Sequence, residues 1–387
     1  MEKIPCSGQV ILEEGNQNRN CMDIMNNKLT DSRQQTADSR QQTADSRRIV
    51  FLDYLRIFAF VSVLIGHKFY AYVVALSDDP TVHSTPRFIA NLLLPFLYGG
   101  GAGVVVFFLV SGYIIIHVLQ TEQTGEFLIK RSFRIYPLYI VAVLAQYISL
   151  VAVGQQAPSL STLLPQLLLV GDFFGTPYTL NGVEWTLRVE IAFYVFMAVL
   201  RSLNLLTNYK ILPYVFVAAT LLCGFIAPIP SADIWSKGYL TIYGPFLLLG
   251  SMFYLFEKKQ IGFTFLLLFI GLVFYQYYSL MDIHQKSWLN AHFAILAFFI
   301  FYVSWAFRRY LTAAPWVLLL SDMTYAVYLF HNWFFDFAKR GLTHFSVSVF
   351  NPDVQALIAL LLVCLFMVRY VEKTGILFGR ALRTKLR

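Results

Sequence analysis

Residues 51–67 read FLDYLRIFAFVSVLIGH, and beyond Lys68 the residues remain apolar through Leu76. A run of this length matches the roughly 20 apolar residues a helix needs to cross a bilayer. Its apolar residues do not alternate with polar ones, as the strands of a membrane β-barrel require. The stretch therefore predicts a membrane-spanning helix, and Arg56 and His67 within it are the residues that need explaining. Eleven residues at 100° each put them within about 20° of one another and about 16 Å apart along the axis. Asp53, one turn before Arg56, is placed to pair with it.

The rest of the chain repeats this character. Of 387 residues, 57% are hydrophobic and 13% charged, with a mean hydropathy of +0.59. Soluble domains carry about 25% charged residues, so a soluble enzyme, a coiled coil and a disulfide scaffold are excluded. The 36 Phe and 23 Tyr suit the edges of a bilayer. We expect an all-α, polytopic membrane bundle of about ten transmembrane helices. The spans are roughly 50–76, 102–119, 133–153, 183–203, 211–229, 238–256, 261–280, 288–307, 317–338 and 353–372. Two short apolar stretches holding a proline, 86–98 and 160–174, read as interfacial or re-entrant pieces.

Charge orients this arrangement. With both termini in the cytoplasm, 22 of the 30 basic residues fall in inner segments, and the long outer loop 154–182 holds none. This is a positive-inside pattern, and it gives the net charge of +8 a topological meaning without nucleic acid. Residues 1–48 form a separate polar tail in which DSRQQTA at 31–37 recurs at 38–44. Low complexity of this kind predicts disorder, so residues 49–387 make the membrane domain. The first residues lack the basic and apolar regions of a signal peptide. Cys6, Cys21, Cys223 and Cys364 have no metal-type spacing.

Ionisable side chains inside spans mark functional sites. Besides Arg56 and His67, Glu190 enters the fourth span, with Tyr194 at i+4 on its face. Glu184 and Arg188 suggest a surface pair. In the ninth span Tyr325, Tyr328 and His331 recur every three residues. Topology alone gives His67, Glu190 and His331 a similar depth, near the outer face, where imidazole and carboxylate suit general acid–base chemistry. Packing roles are also open to them: His67 bound to a backbone carbonyl, Glu190 as partner of Arg188 or Arg56, His331 at a helix interface. No spacing supports a metal. Lys130, Arg131 and Arg134 form a basic patch suited to phosphate. Gly99, Gly100, Gly101, Gly103 and Ser111–Gly112 suit close helix packing, and no nucleophile elbow surrounds Ser111.

In order along the chain, five segments resemble motifs of the integral-membrane acyltransferase family 3, which includes O-antigen and exopolysaccharide O-acetylases. They are FLDYLRIFAFVSVLIGH with Arg56 and His67, GVVVFFLVSGYII at 103–115, and KRSFRIYPLY at 130–139 with Arg131 and Arg134. EWTLRVEIAFY at 184–194, containing Trp185, Glu190 and Tyr194, and TYAVYLFH at 324–331 complete the set. Tyr54 stands where many members have Gly, and Tyr113 where Phe is common. The resemblance spans roughly 49–372. It implies a stand-alone enzyme of a bacterial plasma membrane that moves an acyl group, most often acetyl, from cytoplasmic acyl-CoA to a sugar hydroxyl. On that reading Arg131 and Arg134, with Arg56, hold the CoA. His67 acts as general base or transient acyl carrier, and Glu190 orients it or the acceptor. His331, Tyr328, Tyr194, Trp185 and Ser111 support the acceptor site, and no metal takes part. Acylation of a macrolide or other small molecule, and transport of a lipid-linked sugar without acyl transfer, are the competing readings. The motifs leave oligomeric state open.

Overall fold

The computed structural model describes residues 48–231, 237–289, 292–347 and 349–386. The repeat-bearing tail lies outside the described residues up to position 47. Among the described residues all regular structure is helical. The main helices are α1 (Val50–Lys68), α2 (Tyr70–Asp78), α3 (Ser84–Leu97), α4 (Gly101–Leu119), α5 (Thr124–Ala152), α6 (Leu160–Leu167), α7 (Trp185–Ser202) and α8 (Leu212–Phe225). They are followed by α9 (Tyr239–Glu257), α10 (Phe263–His284), α11 (Phe293–Ala306), α12 (Pro315–Phe330), α13 (Trp333–His344), α14 (Pro352–Met367) and α15 (Lys373–Leu386).

Each of the ten expected stretches carries helix. Among the described residues six runs are long and apolar enough to cross a membrane: Val50–Lys68, Ser84–Leu119, Thr124–Ala152, Tyr239–Glu257, Phe263–His284 and Pro352–Thr384. Leu212–Phe225, Phe293–Ala306 and Pro315–Phe330 are apolar but shorter. Helix α7 carries Arg188, Glu190 and Arg201 among its apolar residues.

The expected first span is two helices. The chain leaves helical geometry at Phe69 (φ −126°, ψ 3°), directly after Lys68 reaches across to Asp336 at 2.7 Å. The ninth is likewise divided, α12 ending at Phe330 and α13 starting at Trp333, with His331 and Asn332 between them. The last runs further than expected, through a π-turn at Val368–Glu372 into α15. Stretch 86–98 falls almost wholly in α3, which passes through a turn at Tyr98–Gly100 into α4 within one apolar run. Both glycines hold positive φ, 52° and 70°, a conformation that costs most other residues energy.

The core forms around α4, whose Val105, Val106, Phe108 and Leu109 are fully buried. Its principal partner is α9. Glycine makes their approach possible: a Cβ on Gly112 would lie 1.8 Å from the Leu247 carbonyl oxygen, and one on Gly250 would lie 2.0 Å from that of Leu109. Ser251 Oγ donates to the Gly112 carbonyl at 2.9 Å, so the close contact also satisfies a buried hydroxyl.

Candidate active site

His67 occupies the last turn of α1 and His331 the end of α12, and the fold brings them together. His67 Nδ1 lies 2.9 Å from His331 Nε2, with the rings stacked at 5.0 Å between centroids and 29° between planes. His331 is fully buried, whereas His67 is exposed to a cavity of about 480 Å³.

The Tyr328 carbonyl fixes the tautomer of His331. His331 Nδ1 sits 2.7 Å from the Tyr328 carbonyl. A carbonyl oxygen only accepts, so Nδ1 carries the hydrogen, and Nε2 of a neutral His331 is a lone pair. In the neutral pair His67 Nδ1–H donates to that lone pair, and His67 Nε2 is the basic nitrogen. The Gly99 carbonyl, presented by the left-handed turn, lies 3.2 Å from Nε2, placed to accept once that nitrogen bears a proton. A base held in one tautomer by a second group is the logic of hydrolytic triads.

Aromatic residues wall the histidine cavity: Trp185, Tyr239, Tyr243, Trp288 and Tyr328 line it. Trp185 packs against Tyr239 and Tyr243 at 5.5 and 5.2 Å between centroids. Beyond lies a smaller cavity of about 50 Å³ that includes Arg56, Arg134, Ser321, Asp322 and Tyr325 in its lining. The two share Val63, Val104 and Tyr328, so one continuous wall runs from the arginines to the histidines. Tyr328 is held there by its hydroxyl, which donates to the Val183 carbonyl at 2.8 Å and lies 2.6 Å from Thr186 Oγ1. Arg56 pairs with Asp53 at 3.3 Å, and Ser321 donates to the same carboxylate at 2.6 Å.

Glu190 is elsewhere, which corrects the expected common depth. Ser111 donates to its carboxylate at 2.9 Å, and the Tyr194 hydroxyl donates to it as well. Ser111 is ten residues past Gly101, hence about 15 Å along α4 from the Gly99 turn. Its neighbour but one, Tyr113, meets Phe51 near the start of α1, with ring centroids 5.3 Å apart. The carboxylate therefore sits toward the Arg56 end and makes no hydrogen bond to either histidine of the pair. Loop positions misled the depth argument, because the residues before α7 are drawn into the fold.

Glu184 and Arg188, expected at the surface, are buried. Arg188 pairs with Asp172 at 2.6 Å and Glu184 at 3.5 Å. Asp172 also accepts from the Tyr239 hydroxyl, and Glu184 from the Thr179 backbone N–H. This network ties the loop before α7 to the cavity wall.

The basic patch divides. Lys130 is neutralised by Glu122 and Glu126 at 2.5 and 2.8 Å. The Arg131 guanidinium lies over the Phe127 and Tyr194 rings at 5.5 and 5.9 Å, and its buried Nε has no hydrogen-bond partner. Only Arg134 of the three lines the small cavity. Among the described residues no group of His, Cys, Asp and Glu is arranged to hold a metal ion.

Sequence reading missed Gly99 as a partner of His67, the aromatic wall, and Asp172. The glycine run at 99–103 was a usable signal, since αL glycines expose carbonyls. The wall was hidden among dozens of similar aromatics.

Comparison with known proteins supplies the family context for this geometry. A family model described as an acyltransferase domain, Acyl_transf_3, matches residues 49–370. The chain is also similar to Nodulation protein 10 of Rhizobium leguminosarum bv. viciae, 26% identical over 170 residues, which are 38% of this chain and 43% of that protein. The match thus spans less than half the length of that relative. No solved structure matches the chain significantly.

Proposed function

The chain belongs to this acyltransferase family, and from that premise we propose that it moves an acyl group, acetyl before others, from cytoplasmic acyl-CoA to a hydroxyl of an exported or cell-surface carbohydrate. The proposal includes ten spans and cytoplasmic termini, on the strength of the positive-inside charge pattern, and, through the family resemblance alone, a bacterial inner-membrane location. It also keeps residues 1–48 as a tail separate from the membrane domain.

One observation carries the reading: an arginine-lined cavity and a histidine-lined cavity share a wall. Arg56 and Arg134 suit the anionic part of CoA, because guanidinium binds phosphate through paired hydrogen bonds. The pantetheine arm then follows Val63, Val104 and Tyr328 to deliver its thioester beside His67. His67 Nε2 takes the proton from the acceptor hydroxyl as its oxygen attacks the thioester carbonyl. The tetrahedral adduct collapses with cleavage of the C–S bond, and the CoA thiolate leaves with that proton. His331 is the positioning partner, a role the motif alone suggested for Glu190. Glu190, Ser111, Tyr194 and Arg131 join α4, α5 and α7 below the cavities, and Trp185 forms part of the acceptor wall.

The test is incubation of membranes containing the full chain with labelled acetyl-CoA and a carbohydrate acceptor. Labelled glycan with an acetyl-sized mass increase is expected, and none with His67→Ala. Wild-type membranes that transport the sugar but never label it overturn the proposal.

A further inference from the structure

Beside the histidine cavity lies a larger groove, about 750 Å³, lined by Gln146 of α5, Asn181, and Trp333, Phe337, Arg340 and His344 of α13. It adjoins the histidines at two points. Asn181 lines both spaces, and its carbonyl accepts from Asn332 Nδ2 at 3.1 Å. Asp336 lines the groove and accepts from Lys68, the residue after His67, at 2.7 Å.

We propose that this groove binds the acceptor, and that the acceptor is a carbohydrate carrying an anionic group, carboxylate or phosphate. The inference rests on the acyl-transfer reading and adds to it the place and charge class of the second substrate.

Charge is the first ground. Asp336 is compensated by Lys68, and Lys339 by Asp353 at 2.5 Å. Asp353 accepts from Tyr72 as well. Arg340 is exposed and makes no hydrogen bond or ion pair among the described residues. With both carboxylates of this end already paired, an uncompensated guanidinium faces the groove, accompanied by His344. That arrangement favours an anion.

The second ground is the chemistry of the lining. Trp333 lines the groove with 5% of its surface exposed, and its buried indole N–H has no hydrogen-bond partner among the described residues. Buried donors are normally satisfied. Gln146 spends its carbonyl oxygen on the Leu180 backbone N–H at 2.7 Å. Flat aromatic surface with a few polar groups among it is the composition of a small-molecule site, and amides with aromatic faces suit a sugar's alternating hydroxyl and C–H surface.

The test is equilibrium binding to the purified full chain in detergent, by calorimetry, without acyl-CoA. Three trisaccharide probes are compared: a neutral one, one ending in glucuronate and one bearing a phosphate. At least one acidic probe is expected to bind about tenfold more tightly than the neutral one, as one charge-assisted contact supplies. Which acid is preferred separates the two sources of charge. Arg340→Ala is expected to abolish the gap and Arg340→Lys to keep part of it. Added salt narrows the gap in the wild-type protein, a measurement that needs no variant. Equal affinity for all three probes, or a gap unchanged in Arg340→Ala, overturns the inference. Because no donor is present, failure of acyl transfer overturns the proposed function and leaves this result standing.

Discussion

His331 holds His67 by a single 2.9 Å contact between Nε2 and Nδ1, and the Tyr328 carbonyl, 2.7 Å from the other side of the His331 ring, fixes which partner donates. The buried histidine thus sets the tautomer of the exposed one. His331→Ala is expected to lower kcat by about 100-fold, the scale of general-base catalysis, with little change in acceptor KM. His67→Ala should lose transfer entirely, and the double variant should be no worse than His67→Ala. Rates of labelled acetyl transfer check this; an unaltered kcat in His331→Ala removes it from the mechanism.

The division of the basic patch separates donor binding from folding. Arg134→Ala is expected to raise the KM for acetyl-CoA about tenfold, the loss of one charge-assisted contact. Arg131→Ala should instead lower Tm, because about 1 kcal/mol of cation–π contact is lost. Steady-state kinetics and thermal melts on the same preparations distinguish the two. A reversed pattern would return Arg131 to the donor site.

Tyr328 stands between the two cavities. Tyr328→Phe loses the hydroxyl contacts to Val183 and Thr186 and is expected to cost about 1–2 kcal/mol while transfer persists. Tyr328→Ala joins the cavities, so acetyl-CoA hydrolysis by water should rise relative to transfer. Thiol release measured with and without acceptor reads the ratio directly.

Helix packing gives a test independent of chemistry. A Cβ on Gly112 meets a backbone oxygen, whereas one on Gly244 meets nothing within 4 Å. Gly112→Ala is expected to destabilise by about 1–3 kcal/mol, and Gly244→Ala to leave Tm near the wild-type value. Equal melting of the two variants would contradict the α4–α9 contact.

Much of this was legible from one chain. The Arg56–His67 spacing on a 3.6-residue helix put both on one side, and they do line consecutive cavities with Val63 between them. The Asp53–Arg56 pair followed from i,i+3 geometry. What stayed hidden depended on three dimensions. His67 and His331 are 264 positions apart, and nothing local says their rings touch. Glu190 was misjudged because depth counted from a loop presumes that the loop ends at the surface. Here Glu184, Arg188 and Asp172 pull it into the protein. Arg131 looked equivalent to Arg134, yet the helix turns the two onto different surroundings.

The glycines near the site have a wider consequence. Cβ atoms at Gly66 and Gly103 would each lie 2.3 Å from a backbone oxygen, those of Leu97 and Ala59. The peptide carrying the histidine and the turn facing it therefore bear on one another main chain to main chain. Their separation does not depend on most of the aromatic side chains that wall the histidine cavity. Trp185, Tyr239 and Tyr243 can be exchanged for other shapes without shifting His67 against Gly99, whereas the Trp288 ring packs directly on Gly99. The proposed base and the turn it faces are thus spaced independently of these three side chains, and a library of variants at Trp185, Tyr239 and Tyr243 should change what is acylated before it changes whether acylation occurs.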